Sequence, residues 1–457
     1  MSLFYTLNPY TGETENEFAA DEAQALQNKL SQAHQAWLSW RNSELQTRVD
    51  LLLRLADCLE AKAPTLADTM TREMGKLTSE ALAEVQKCAS VCRYYAREGV
   101  ALVQSQALSA DQDRAEVRYL PKGIVFAIMP WNFPLWQVFR FLAPSLLAGN
   151  TVLLKHAPNV AASAIAIEEL MREANAPEHL MQNLFIDVDQ VERVIGDSRI
   201  AGVTITGSER AGRAVGALAG KYLKPSVLEL GGCDPLVVLD DADLEGAVNA
   251  AMISRFMNAG QTCIAAKRFI VDAQVYDEFR DRLVARIEAL HYGDPTLAET
   301  NLAPMARADL RDGLQQQLQK SLAQGAVMTI PGGSIDGTYA GFAPCLLEQV
   351  TSDMEAGKEE MFGPVASLIK AENAQQAIAI ANGPRFGLGA SLWSQDRERA
   401  WALASELQTG AVFINGFVKS DPRWPFGGTK DSGYGRELWA DGARSFCNAQ
   451  TVWQAKG

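Results

Sequence analysis

Gly123-Ile124-Val125-Phe126-Ala127-Ile128, followed by Thr151-Val152-Leu153-Leu154 and then Gly202-Val203-Thr204-Ile205-Thr206-Gly207-Ser208, is the stretch that decides the fold. Each run is short, apolar and rich in β-branched residues, as expected of strands buried on both faces. The intervening segments switch to a helical period, near Val138 to Leu147 and Ala161 to Arg172. Thr206-Gly207-Ser208 leads into a third helix around Glu209 to Leu218. Strands alternating with helices imply a parallel, doubly wound sheet, with ligands beyond the carboxyl ends of the strands. A second series begins at Pro235-Leu236-Val237-Val238-Leu239 and runs through a helix from Asp243 and a strand at Phe269-Ile270-Val271 to about Ile414. The boundary between the two falls between Glu229 and Pro235. Upstream, Asp21 to about Val100 reads as amphipathic helices, with Leu51, Leu52, Leu55 and Leu59 on the core face. Gln104 to Leu120 alternates as an extended hairpin does, and Thr451 to Gln454 reads as a tail strand.

A chain of 457 residues calls for two or three domains. Its net charge of -13 disfavours nucleic acid and anionic membranes as partners. The four histidines, His34, His156, His179 and His291, show no metal-ligand spacing, so no metal is expected. Seven cysteines form neither a disulfide framework nor a zinc pattern, and Cys88 and Cys92 at i, i+4 read as buried thiols. A reducing, cytoplasmic compartment fits. No signal peptide is read at the N-terminus, and the apolar segment Gly123 to Trp136 is too broken by Pro130, Asn132 and Pro134 to span a bilayer.

The chemistry concentrates in a few places. Asn258-Ala259-Gly260-Gln261-Thr262-Cys263 sets a thiol in a small polar turn, and Glu229-Leu230-Gly231-Gly232 sets a carboxylate before two glycines. A thiol that forms a covalent adduct and a carboxylate that activates water suffice to oxidise an aldehyde to an acid, given a hydride acceptor. For that acceptor, Gly207-Ser208 before a helix is a candidate phosphate turn, with Gly212 one turn on; an ordinary strand–helix turn is the equal alternative. Lys155 ends a strand, where it could reach a ribose hydroxyl or simply be solvated. In Pro130-Trp131-Asn132-Phe133-Pro134 the rigid Asn132 amide suits an oxyanion, or caps the next helix. Glu360 of Glu359-Glu360-Met361-Phe362-Gly363-Pro364 could bind a ribose and Phe362 could pack on a nicotinamide ring, or the segment is a charged surface turn. Pro425-Phe426-Gly427-Gly428-Thr429-Lys430, then Ser432-Gly433-Tyr434-Gly435-Arg436-Glu437, is a long glycine-rich loop.

In this order and together, these motifs resemble the aldehyde dehydrogenase superfamily, from Asn8-Pro9-Tyr10-Thr11-Gly12-Glu13 to the tail. The resemblance implies two doubly wound, Rossmann-like α/β domains and a small β oligomerisation element. Residues 1–103 and 122–231 would form the dinucleotide-binding domain, 232–440 the catalytic domain, and 104–121 with 441–457 the oligomerisation element of a homodimer or homotetramer. It implies Cys263 as nucleophile, Glu229 as general base, and Asn132 with the Cys263 N–H as oxyanion donors. Trp131, Lys155, Gly207, Ser208, Leu230 and Glu360 match dinucleotide-contacting positions. Many NAD-preferring members carry a glutamate three residues after the matching lysine; here that residue is Pro158. NADP should therefore be tolerated, Lys155 and His156 favouring it, and NAD or NADP is the expected cofactor.

Arg140 lies eight residues after Asn132, and Ser420 five before Pro425. The resemblance extends to succinate-semialdehyde dehydrogenases, which bind the substrate's distal carboxylate with an arginine and a serine at these offsets. The implied reaction is oxidation of succinate semialdehyde to succinate, as in GABA degradation. A salt bridge is the alternative role for Arg140. Some of those enzymes carry a second arginine six residues before the cysteine; here that position is Met257, with Arg255 two places earlier. Ile264 and Ala265 follow Cys263, so no adjacent disulfide switch is expected. Glutarate semialdehyde, a neutral aldehyde, transfer to coenzyme A in place of water, and a non-catalytic protein on the same fold are the rival readings.

Overall fold

The computed structural model describes residues 3–108 and 114–455. The turn of the expected hairpin near 104–121 thus lies partly outside the described residues. The helices expected from Asp21 to Val100 are Ala23–Trp40, Leu45–Ala61, Ala63–Met74, Thr78–Arg97 and Gly99–Val103. Leu51, Leu52, Leu55 and Leu59 are all buried in the core they form with the helix Trp136–Ala148. A preceding hairpin, Leu3–Leu7 with Thr14–Ala19, was not legible from the sequence pattern because its exposed polar alternation buries little.

The first sheet has six strands in the spatial order Gly433–Tyr434, Ser226–Glu229, Ile200–Thr206, Ile124–Met129, Thr151–His156, Met181–Asn183. All pair in parallel except Gly433–Tyr434, which runs antiparallel to Ser226–Glu229. The chain winds one way from Ile124–Met129 through Thr151–His156, then returns to Ile200–Thr206 on the other side. The switch point therefore lies between Ile124–Met129 and Ile200–Thr206, and the loops leaving those strands are Pro130-Trp131-Asn132 and Gly207-Ser208. The edge strand Gly433–Tyr434 comes from the chain's far end, so residues beyond 432 complete the first sheet instead of belonging wholly to the second unit.

The second sheet runs Val327–Ile330, Cys345–Glu348, Val365–Ala371, Ala266–Asp272, Asp234–Val238, Gly389–Trp393, Ala411–Ile414. It is parallel but for its first edge pair. It has its own apolar layers on both faces. Cys263 precedes the strand Ala266–Asp272, and Gly231-Gly232 precede Asp234–Val238. The second sheet thus offers its amino ends to the site, whereas the first offers its carboxyl ends. A third, antiparallel sheet joins Cys447–Gln454 to Arg114–Pro121 and Gln106–Leu108, the pairing of tail and extended segment expected above. Its tail strand is longer than the expected Thr451 to Gln454 and largely exposed.

Candidate active site

A cavity of about 250 Å³ opens at the switch point of the first sheet. Trp131, Asn132, Gly207, Ser208, Leu230, Cys263, Glu360 and Phe362 all line it, so most of the expected site residues converge. A larger open cleft of about 610 Å³ flanks the helix Ala23–Trp40, but it touches neither Cys263 nor Glu229.

The turn that carries the nucleophile is strained. Asn258, Ala259 and Gly260 have φ of 56°, 50° and 74°, three consecutive left-handed residues. Such runs persist only when surroundings over-determine them. Here the Asn258 N–H donates to Glu80 Oε1 at 2.8 Å and the Asn258 amide donates to the Asn132 carbonyl at 2.8 Å. Arg255, fully buried, donates through Nη2 to the Gly260 carbonyl at 2.5 Å. A side chain at Gly260 would sit 2.5 Å from the Gly363 carbonyl, so glycine is required. Arg255 therefore braces the catalytic turn and does not face a substrate. Lys267, four residues after Cys263, donates to the Thr262 carbonyl at 2.9 Å and to the Cys263 carbonyl, and pairs with Glu360 at 3.2 Å. Its role was not read from the sequence. It ties the nucleophile's backbone to the carboxylate expected to hold a ribose.

The Asn132 amide donates to the Gln261 carbonyl at 3.0 Å. A side-chain amide has two N–H donors, so one orients the group and the other is left for an oxyanion beside Cys263. Asn132 is thus held by the turn before Cys263 and does not cap the helix. The first turn of the following helix, Trp136–Ala148, is capped by Glu84, which accepts from the Leu135 and Trp136 N–H groups at 2.8 and 2.9 Å.

Burial pushes the Cys263 thiol up to about 11, with Arg140 and Lys267 pulling against it. Cys263 therefore rests as a thiol. Glu229 is buried behind the cavity wall formed by Leu230 and Gly231, and neither carboxylate oxygen has a hydrogen-bond partner. Burial, then the nearby Glu437, holds its pKa well above the carboxylate range, with Arg140 and Arg436 opposing. Two buried carboxylates share one main cation: Arg140 donates through Nε to Glu437 and through Nη2 to Thr206 Oγ1 at 3.3 Å. Burial raises Glu437 too, but its bonds to Arg140 and Thr204 oppose that rise, whereas Glu229 has no such bond. A protonated Glu229 can give up that proton and act as a base only when the charge around it changes.

Two expectations need correction. Arg140 was expected to clamp the substrate. It is instead 1% exposed, paired with Glu437 and stacked 4.5 Å over the Phe426 ring, which leaves its charge already committed. The salt-bridge alternative holds because a buried carboxylate captures the nearest guanidinium. His156 was expected to favour NADP by charge. The Ala157 N–H donates to its Nδ1 at 2.9 Å, so Nε2 carries the proton and donates to the Pro134 carbonyl at 2.8 Å. Burial lowers its pKa to about 4, and it is neutral. Lys155 ends its strand buried, and Pro158 opens a short 3₁₀ turn, as a residue without an N–H can. Ser420 is buried; its Oγ accepts from Lys87 Nζ at 2.8 Å and from Trp136 Nε1 at 3.1 Å.

The cavity suits a dinucleotide. A Cβ at Gly207 would meet no atom within 4 Å, so the backbone there is open to a close ligand at a helix N-terminus. Ser208 caps that helix by accepting from the Ala211 N–H at 3.3 Å. Gly212 is needed because a Cβ would collide with Leu230. Glu360 accepts from the Gly232 N–H at 3.0 Å, and Phe362 meets Trp131 edge to face at 5.8 Å, giving an apolar wall beside two polar groups.

Comparison with known proteins agrees. The model of the aldehyde dehydrogenase family matches residues 2–452. The chain is 46% identical over 449 residues, 98% of it and 97% of the relative, to the succinate semialdehyde dehydrogenase [NAD(P)+] Sad of Escherichia coli (strain K12). It is 44% identical over 453 residues, 98% of it and 99% of the relative, to succinate-semialdehyde dehydrogenase [NADP(+)] 1 of Mycobacterium tuberculosis (strain ATCC 25618 / H37Rv). A crystal structure of succinic semialdehyde dehydrogenase from Streptococcus pyogenes, in complex with NADP+, superposes with a TM-score of 0.97 at 38% identity, covering 99% of this chain and all of that one.

Proposed function

Because this chain belongs to the aldehyde dehydrogenase family, we propose that it oxidises succinate semialdehyde to succinate with NAD or NADP. One observation carries the chemistry: Cys263, Asn132 and the Gly207–Ser208 turn line a single cavity, with Glu229 directly behind its wall. The relatives named above, alike over the whole chain, carry the substrate and the cofactor.

Trp131, Gly207, Ser208, Leu230, Glu360 and Phe362 hold the dinucleotide, which supplies a hydride acceptor when bound. Cys263 Sγ, on losing its proton, attacks the aldehyde carbon. The oxygen of that carbon becomes an oxyanion held by the free Asn132 N–H and the Cys263 N–H. After hydride leaves the same carbon, the acyl group remains on Sγ as a thioester. Glu229, once ionised, takes a proton from water, whose oxygen attacks the acyl carbon; the acid leaves, the Cys263 thiolate is expelled, and Glu229 returns the proton to it. The shielded position of Glu229 keeps its carboxylate dry and basic once ionised. With Pro158 presenting no carboxylate and His156 neutral, NADP binding rests on the lack of repulsion and on Lys155.

The three-stranded sheet leaves one long exposed edge, Cys447–Gln454, which supports a homodimer or homotetramer paired through it. The free cysteines support a reducing, cytoplasmic setting. No helix among the described residues is long and apolar enough to cross a membrane. Breakdown of GABA, which yields this semialdehyde, is the pathway the reading fits.

The test is formation of NADH and NADPH with succinate semialdehyde beside butyraldehyde, a chain of equal length without the carboxylate. A hundredfold preference in kcat/KM, about 2.7 kcal/mol, supports the substrate. Comparable rates refute it and leave a general aldehyde dehydrogenase; no reduced cofactor with either refutes catalysis on these substrates.

A further inference from the structure

One half-buried cation has no part in the scheme above. We propose that Lys87 binds the distal carboxylate of the substrate, with Ser420 and Trp136 holding it in place, and so sets the preference for an acid-bearing aldehyde. The proposal rests on the substrate reading above and assigns the role that Arg140 does not fill.

Lys87 sits on the helix Thr78–Arg97 with its Nζ 4.1 Å from the centre of the Trp136 ring. It donates one hydrogen bond, to Ser420 Oγ, of the three an ammonium can give. The Trp136 indole N–H donates to the same oxygen. With two bonds received, the Ser420 hydroxyl has its own proton left to give. Lysine and serine thus present donors side by side, over a rigid aromatic floor, which is the chemistry a carboxylate accepts.

The cation also has no anion of its own. Among the described residues, the carboxylates that act on it are Glu84 and Asp421. Glu84 is committed to Lys76 and to the Leu135 and Trp136 N–H groups. Asp421 is committed to Arg423, at 2.9 and 2.7 Å. Burial, then repulsion from Arg140, lowers Lys87 to about 8. A desolvated cation without a counter-ion is costly, and a bound carboxylate relieves that cost.

Its place in the fold links it to the nucleophile. Trp136 and Gln137 are neighbours in one helical turn, and Gln137 lines the Cys263 cavity with Asn132. Ile264, next to Cys263, packs on the cluster that contains Trp136. Arg140, one turn further, lowers both the Lys87 ammonium and the Cys263 thiol, so it lies within electrostatic reach of both. Trp136, the floor under Lys87, thus adjoins in sequence a residue that lines the cavity of Cys263.

The experiment measures kcat and KM with succinate semialdehyde and butyraldehyde for the full-length enzyme, Lys87→Met and Lys87→Arg. The expected result is a KM for the semialdehyde raised about ten- to a hundredfold in Lys87→Met, with butyraldehyde kinetics unchanged and Lys87→Arg restoring most of the loss. In the wild type, KM for the semialdehyde alone should climb as pH passes about 8. That titration occurs among Glu84 and Cys88 on the same helix, Arg140 on the facing helix and Asp421 on the loop, which act on both substrates alike. If Lys87→Met leaves the semialdehyde KM unchanged, or raises KM for both aldehydes equally, while the wild type still prefers the semialdehyde, this inference alone is overturned. A wild type that shows no preference overturns the substrate reading and this inference with it.

Discussion

Arg140 is the residue at which the two roles read for it separate most cleanly. If it is the cation that holds Glu437, then Arg140→Met leaves two buried carboxylates, Glu229 and Glu437, without the main charge that lowers both. Removing one partner of a buried ion pair costs about 3–5 kcal/mol. Glu437 can escape part of that by taking a proton, at about 1.4 kcal/mol per unit of pKa. Glu437 in the variant is charged at high pH and neutral at low pH, so the loss should be greater at pH 9 than at pH 6. Arg140→Met combined with Glu437→Leu removes both charges and should be less damaging than the single change, with a coupling of about 2 kcal/mol or more. The assay is the urea midpoint of wild type, both single variants and the double, at one protein concentration and two pH values. Kinetics provide the second arm: acting through Glu229, Arg140→Met should lower kcat for succinate semialdehyde and butyraldehyde in the same proportion. Additive midpoint losses, or an undisturbed midpoint with a KM rise confined to the semialdehyde, would refute the ion-pair account and return Arg140 to the substrate.

Glu229→Gln should give a burst of one reduced cofactor per active site followed by turnover slowed about 10²- to 10⁴-fold; a proportional loss of the burst itself would place Glu229 before the thioester. Iodoacetamide alkylation of Cys263 in the free enzyme should accelerate steadily from pH 7 to beyond pH 9, since the thiol sits at about 11; a plateau below pH 8 would contradict that. Lys267→Met removes a cation that lowers the thiol, so alkylation at a fixed pH should slow and KM for the cofactor should rise through loss of the Glu360 pairing. Pro158→Glu puts a carboxylate where none now faces a 2′-phosphate, and kcat/KM with NADP should fall about tenfold or more while that with NAD holds; equal losses with both would show that the position does not read the phosphate.

Much of the fold was written in local pattern. The unbroken apolar runs at Ile124, Thr151 and Val203 could only be strands covered on both faces, and their helical spacers forced a parallel sheet. The cavity residues were legible for a related reason: Gly207, Gly231 and Gly260 stand where a side chain has either nothing to meet or something to strike, and such positions leave a mark in sequence. The return of Gly433–Tyr434 to the first sheet was not legible, because a two-residue edge strand has no period. Nor were the partners of buried charges. Lys267 and Glu437 lie in plain view of the nucleophile and the glycine loop, yet nothing in their spacing says which carbonyl or carboxylate each will meet.

The pairing of Arg140 with Glu437 bears on how the proposed site would work. The proposed reaction would need one carboxylate, Glu229, to remain protonated until water must be activated, and another, that of the substrate, to be held as an anion. A single arginine exposed to both would lower Glu229 and release its proton too early whenever the substrate was absent. The fold separates the tasks. Arg140 is bound to Glu437, whose charge it offsets, so Glu229 feels burial first and repulsion second and keeps its proton. Lys87 stands apart on a different helix, without a carboxylate partner, beside a serine with a proton to give. Two cations on two elements can then serve two tasks, one the timing of hydrolysis and one the choice of aldehyde, although Arg140 also lowers Lys87 by repulsion. A lysine suits the second post because desolvation lowers it to about 8, near enough to neutrality that an arriving anion strengthens its charge.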